Sequence, residues 1–393
     1  MNKLLKKSIY LPYFFMATGI FILPHADKKA VLFFTFGMFS SLFYSNIKHI
    51  KMNIKKPIML TLLLLTTYSL FGYYFYPDGS RDIRALLCLL FYFTIIPHNE
   101  IKIKNLVYIL VIAGVFSFLN TSYYTYFLQL NRETGFLNPN IYAGLTGALA
   151  VAAFSLLLTG YNKILCSISY ALLLSSTLLT QSRTVISVTI VISFLLLILS
   201  KRISIKNILI FLSLMILPLY IFNHQIESRY NTTKEEIRSL ETGNLNSSMG
   251  LRLEMWQYAP TVITENLLIG VGGEHKEYLK KAYKQGEISK ELYKFNPPGY
   301  HNEIINRMVK NGLIGTLLLL MFYIIPIYQG SKQTLDKKLL LWAVTGFYII
   351  SGVTLSPLTQ GSTILLYGLL VIPFCCDFTQ RNLSIIEEKI KSR

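Results

Sequence analysis

Apolar residues in this chain come in long runs, and polar residues gather in short clusters between them. Runs of about 17–25 residues recur, the length a helix needs to cross a hydrocarbon core of about 30 Å. Only helices and closed barrels satisfy their backbone groups in such a core, and the period is not the alternation of a barrel. The pattern predicts an all-α polytopic membrane protein of about twelve transmembrane helices. They fall over 8–24, 29–46, 57–75, 83–97, 103–120, 139–159, 162–180, 184–200, 205–222, 303–329, 338–355 and 361–376. Lys3, Lys6 and Lys7 before the first run mimic a secretory signal, but span after span follows, so an uncleaved first helix is expected.

Two polar insertions interrupt the series. The smaller, 121–138, ends in Arg132-Glu-Thr-Gly135-Phe-Leu-Asn138-Pro139-Asn140. The larger, 223–302, has helical spacing over 226–241 and 274–294, a further helix starting near Gly250, and a break at Asn296-Pro297-Pro298-Gly299. The expected organisation is therefore a nine-helix bundle over 1–222, a large exported loop over 223–302, three last helices over 303–376 and a tail over 377–393.

Composition and charge orient this arrangement. The chain of 393 residues is 52% hydrophobic and 15% charged, too apolar for a soluble domain of its size. With the N-terminus in the cytoplasm, 20 of the 38 Lys and Arg residues fall in short inner loops and tails. Loop 223–302 carries 10 basic and 10 acidic residues, so the net charge of +18 belongs to the inner face, beside anionic headgroups. Both termini are expected to be cytoplasmic. Nucleic-acid binding is excluded in favour of topology signalling, because no basic domain stands outside the bilayer. The cysteines, Cys88, Cys166, Cys375 and Cys376, form no CxxC pair or disulfide framework and read as small apolar fillers.

The candidate chemistry lies at the exported mouth. Arg183 follows Gln181-Ser182 between two spans; if Ser182 caps the next helix, its first amides and the guanidinium make an anion site. A snorkelling interfacial arginine would read the same. Arg252 and Trp256, in Gly250-Leu-Arg252-Leu-Glu-Met-Trp256, share a helix face at i,i+4, suited to a phosphate and a sugar or simply to a membrane anchor. His301, in Pro298-Gly-Tyr-His301-Asn302, sits where the long loop returns to the membrane, and a neutral imidazole there would serve as a base. The plain alternative is a loop histidine bonded to a carbonyl. Gly312 and Gly315, three apart, would let a neighbouring helix approach closely. Arg81, Arg84 and Arg132 are further possible anion ligands, each with an acidic neighbour (Asp78, Asp82 or Glu133) to pair with instead. No Walker loop, HExxH or carboxylate-rich metal constellation is present in the sequence, so no metal or cofactor is expected.

Taken together, these residues resemble the O-antigen ligase/polymerase superfamily of bacterial inner membranes, and more narrowly O-antigen ligase. His301-Asn302, nine residues, then Gly312-Leu-Ile-Gly315-Thr316 matches the signature of His, then Asn, Ser or Gln, nine residues, and Gly-x-x-Gly-Thr/Val. Asn138-Pro139-Asn140, Gly250-Leu-Arg252…Trp256 and the position of Arg183 resemble elements shared with the polymerases.

The resemblance implies a GT-C-like fold and a metal- and nucleotide-independent glycosyl transfer at the periplasmic face of a Gram-negative inner membrane. The implied donor is undecaprenyl-diphosphate-linked O-antigen and the implied acceptor a core-sugar hydroxyl of lipid A–core. His301 is then the expected base, and Arg183 and Arg252 the diphosphate clamp. Asn302, Trp256, Arg132, Asn138 and Asn140 are expected to support them. Three alternatives stand beside this: an O-antigen polymerase, a relative that glycosylates protein, and a non-catalytic transporter of lipid-linked glycan. A guanidinium clamp requires the bidentate fork, so Arg183→Lys should not restore full ligation in a complementation assay; parental ligation by that variant would refute the clamp.

Overall fold

In a computed structural model, residues 6–43, 47–76, 80–130, 132–200 and 205–375 are described, and among them there is helix and no strand. The tail 377–393, Lys3, Asp78, Lys201, Arg202 and Cys376 lie outside the described residues, as do the side chains of Lys48 and Lys206. The helices are α1 (Leu11–Ala17), α2 (Gly19–Ile22), α3 (Ala26–Leu42), α4 (Ile47–Ile54), α5 (Pro57–Phe75), α6 (Arg81–Ile95) and α7 (Ile103–Ser122). Next come α8 (Pro139–Thr159), α9 (Lys163–Leu179), α10 (Arg183–Leu199) and α11 (Ile205–Ile221). The long polar segment forms α12 (Asn223–Glu241), α13 (Ser248–Glu265), α14 (His275–Lys284) and α15 (Lys290–Phe295). The chain closes with α16 (Glu303–Ser331), α17 (Leu335–Ser351) and α18 (Gly361–Val371).

Helix thus lies under each of the twelve apolar stretches. Four helical segments, Pro57–Phe75, Ile103–Phe127, Pro139–Thr159 and Glu303–Ser331, are long and apolar enough to cross a membrane. Five further apolar helices are shorter, Lys163–Leu179 and Arg183–Leu199 among them. The first stretch is not one helix: it breaks at Thr18 (φ −132°, ψ −77°), whose hydroxyl donates to the Phe14 carbonyl at 2.8 Å. The smaller insertion also starts later than its composition suggests, because α7 runs on through a π-helical turn at Tyr123–Phe127.

α8 is the axis of the bundle. Asn138 caps it by accepting from the Asn140 amide at 2.9 Å, Pro139 opens it, and Gly160 ends it in the left-handed region at φ 90°. It is apolar all round and lined with Ala and Gly, so it is buried along almost its whole length.

The long polar segment has its own core: Met255, Tyr258, Ala259 and Val262 of α13 pack on Leu279, Ala282, Ile288 and Leu292, and through Tyr300 on Val309 of α16. This unit joins the membrane helices where α16 breaks. Gly312 has φ 60° and ψ −165°, a conformation essentially confined to glycine. The amides of Leu313 and Ile314, freed by the break, donate to the carbonyls of Leu267 (2.8 Å) and Leu268 (3.3 Å). The Val271 amide returns a bond to the Val309 carbonyl at 2.9 Å.

The two glycines of the Gly-x-x-Gly element therefore do different things. A Cβ on Gly315 would lie 3.0 Å from the Tyr68 ring of α5, so there a neighbouring helix does come close. Gly312, expected to do the same, is instead the break that receives segment 267–271: a Cβ there would lie 2.3 Å from the Leu268 backbone. Gly312→Ala should cost about 2–4 kcal/mol and lower the melting temperature in detergent. Gly144→Ala, where only the Thr363 methyl lies near at 3.8 Å, should be close to neutral in the same measurement.

Candidate active site

The connections leading into α8 and α10 meet α12, α13 and the start of α16 at one place. Asn140, in the first turn of α8, holds two of them: its Oδ1 accepts from the Arg132 guanidinium at 3.3 Å and from the Ser182 hydroxyl at 3.0 Å. Ser182 occupies the N-cap position of α10 but makes no capping bond, and its hydroxyl donates to Asn140 instead. The expected serine cap is therefore absent, and Arg183 opens the helix directly.

Arg183 reaches across to α12. One guanidinium nitrogen donates to the Thr233 hydroxyl at 2.8 Å and another to Glu236 Oε2 at 2.8 Å. Arg132, Arg229 and Arg252 all lie within electrostatic reach of Arg183 and of Glu236. Burial and then the Arg183 charge pull each of these three guanidinium groups below its usual pKa, while Glu236 acts the other way. Among the described residues, Glu236 is the one carboxylate that acts on Arg132, Arg229 and Arg252, and of the four guanidinium groups Arg183 is the one in direct contact with it. The Nε atoms of Arg132 and Arg229 are buried without a hydrogen-bond partner. Such a cluster is poised for an anion carrying several acceptor oxygens.

His301 stands beside this cluster. Its backbone is held at φ 50°, in a region most side chains avoid, and so are those of Arg132 (φ 63°) and Gln181 (φ 55°). Neighbouring peptides hold the strain. Trp256 Nε1 donates to the Tyr300 carbonyl at 2.7 Å, and the Tyr300 amide donates to Asn306 Oδ1 at 3.2 Å. On the other side, Asn302 caps α16 through the Ile305 amide (3.0 Å) and donates to the Val353 carbonyl at 2.9 Å. Trp256 and Asn302 thus support the histidine backbone.

Behind them lies a feature absent from the sequence reading, the pair Glu303–Arg307. The two side chains are only 2% and 3% exposed, with Nε and Oε1 3.5 Å apart. Glu303 Oε2 accepts from the Leu358 amide at 2.9 Å, and Arg307 donates to the Leu358 carbonyl at 2.6 Å. This ties the loop after α17 to the helix that follows His301.

The sequence reading singled out Arg183, Arg252 and Arg132 but not Arg229, Thr233 or Glu236. Their spacing at i, i+4 and i+7 places the three on one face of α12, which was the signal available. Arg84 is elsewhere employed, 3.8 Å from Asp27.

Residues 168–320 match the family model described as O-antigen ligase. The chain therefore carries a domain of the O-antigen ligase superfamily. It is also similar to an uncharacterized protein of Haemophilus influenzae, 34% identical over 110 residues, which is 28% of this chain. That alignment spans only 27% of the Haemophilus protein's own length. The O-antigen ligase domain takes in Arg183, Arg229, Glu236, Arg252, His301 and the break at Gly312, whereas Arg132, Asn138 and Asn140 precede it. The apolar helices and this domain together mark a membrane protein.

Within the O-antigen ligase domain, burial and then the Arg252 charge bring the His301 imidazole down to about 4. Its ring lies over Phe295, with centroids 6.4 Å apart. At neutral pH it is uncharged and able to accept a proton. An unfolded imidazole titrates near 6.5, so between about pH 6.5 and 4 the unfolded chain binds the proton that the folded site refuses. The His301 contribution to stability is complete above that window and lost as pH falls through it. Melting temperatures recorded from pH 7 to pH 4 should fall more steeply for the parent than for His301→Asn. Parallel curves would mean an imidazole in ordinary solvent.

Proposed function

We propose that this protein is an O-antigen ligase. It transfers an O-polysaccharide from undecaprenyl diphosphate to a core-sugar hydroxyl of lipid A–core. The observation that carries the reading is the group of four guanidinium side chains sharing one carboxylate, beside a histidine kept neutral at pH 7. In this reading the protein spans the inner membrane about twelve times, with both termini in the cytoplasm and the site on the periplasmic face.

The reaction follows from charge. The acceptor hydroxyl attacks the anomeric carbon as the bond from that carbon to the diphosphate oxygen breaks. His301 takes the hydroxyl proton and later passes it to water. The negative charge that grows on the leaving undecaprenyl diphosphate is met by Arg183, Arg252, Arg229 and Arg132, each worth about 2–4 kcal/mol if it acts like an oxyanion-hole donor. A single displacement inverts the anomeric centre. The bound diphosphate also offsets the Arg252 charge, which lifts the affinity of His301 for a proton. The base thereby strengthens once the donor is in place.

The test is the lipopolysaccharide gel profile of a ligase-null strain carrying this gene. Long ladders restored by the parent and lost with a stably expressed His301→Ala are expected. Undecaprenyl-linked chains that lengthen without any ladder would identify a polymerase, and ladders restored equally by His301→Ala would remove His301 from the chemistry.

A further inference from the structure

Glu236 is the one carboxylate placed among four guanidinium groups, and its partner is the arginine at the first turn of α10. The pair is well sheltered, with side-chain exposures of 28% for Arg183 and 12% for Glu236. The helix that brings Glu236 there is not: α12 has no buried residue among those described, and Arg183 grips it through Thr233 and Glu236 alone, one turn apart. Beyond this grip the helix is held by half-buried contacts, Ile226 against the bundle core among them. Arg183 gives two of its five N–H groups to α12, one from each terminal nitrogen, so a phosphate that takes the bidentate fork meets Glu236 there.

We propose that Glu236 is a built-in counter-anion that occupies the phosphate-binding position of Arg183 and must be displaced by the substrate's diphosphate, so that it sets which phosphate ligands can enter the site. This rests on the diphosphate-binding reading given above.

The physical need is clear in a lipid setting. A cluster of four arginines at a membrane surface faces a large excess of phospholipid headgroups, each a phosphodiester with one negative charge. An open cluster would fill with them. A resident carboxylate costs every anion about the same displacement, which leaves their ranking unchanged but drops the weakest of them below the affinity needed to hold the site. A diphosphate, with two phosphoryl groups and more acceptor oxygens to spread over Arg132, Arg183, Arg229 and Arg252, still binds. A single phosphodiester contacts fewer of them and is turned away at the concentrations present in the leaflet.

The experiment measures binding of inorganic pyrophosphate to the full chain in phosphatidylcholine nanodiscs by titration calorimetry, for the parent, Glu236→Gln, Glu236→Ala and Arg252→Ala. Glu236→Gln and Glu236→Ala should bind pyrophosphate roughly five- to tenfold more tightly than the parent, the range expected for release of one partly buried ion pair. Exchanging phosphatidylcholine for phosphatidylglycerol should weaken binding by both Glu236 variants more than by the parent, beyond the repulsion that the anionic surface imposes on pyrophosphate in all of them. Binding that is equal or weaker in both would overturn the proposal and make Glu236 a support that orients Arg183. Having two substitutions guards against a glutamine that keeps the hydrogen bond to Arg183. Should parental binding not depend on Arg252, the anion site itself is wrong and both readings fall. Dependence on Arg252 without tightening in the Glu236 variants overturns this inference alone.

Discussion

A helix interrupted inside or beside a bilayer leaves amides that water cannot serve, and every such break must find its own acceptors. That constraint organises this protein at Gly312. The carbonyls of Leu267 and Leu268 meet the freed amides of Leu313 and Ile314, and the Val271 amide answers Val309. The polar unit 248–300 is thereby joined to the membrane helices through backbone bonds as well as side-chain packing, and α13, which carries Arg252 and Trp256, inherits a fixed position. The Trp256 bond to the Tyr300 carbonyl then carries that position to His301.

The helices were largely legible because an apolar run of the right length has few other outcomes. What escaped were features whose cause lies far away in sequence. Nothing near Gly312 says that segment 267–271 will fill the break, and nothing near Ser182 says that its hydroxyl will donate to Asn140. The first helix breaks at Thr18, which hydropathy does not register.

For the site, residue type was a better guide than pairing. Arg183, Arg252 and His301 stand out as charged or titratable groups at the mouth of apolar runs, and the fold brings them together. Arg229 and Glu236 were hidden in a charged helix where every position looks solvated, and only their common face distinguishes them. Glu303 and Arg307 were passed over as part of an apolar span, although between them they engage both backbone groups of Leu358.

The four arginines reach the site from separate parts of the chain: Arg132 before α8, Arg183 at the head of α10, Arg229 on α12 and Arg252 on α13. None of these parts holds the cluster alone. The site is a logical conjunction of independently placed pieces, and it comes into being only when the last of them docks. A chain caught halfway through insertion therefore offers scattered single charges rather than a weak version of the pocket. An anion is thus offered no partial pocket by half-built copies, through geometry and without any dedicated inhibitor.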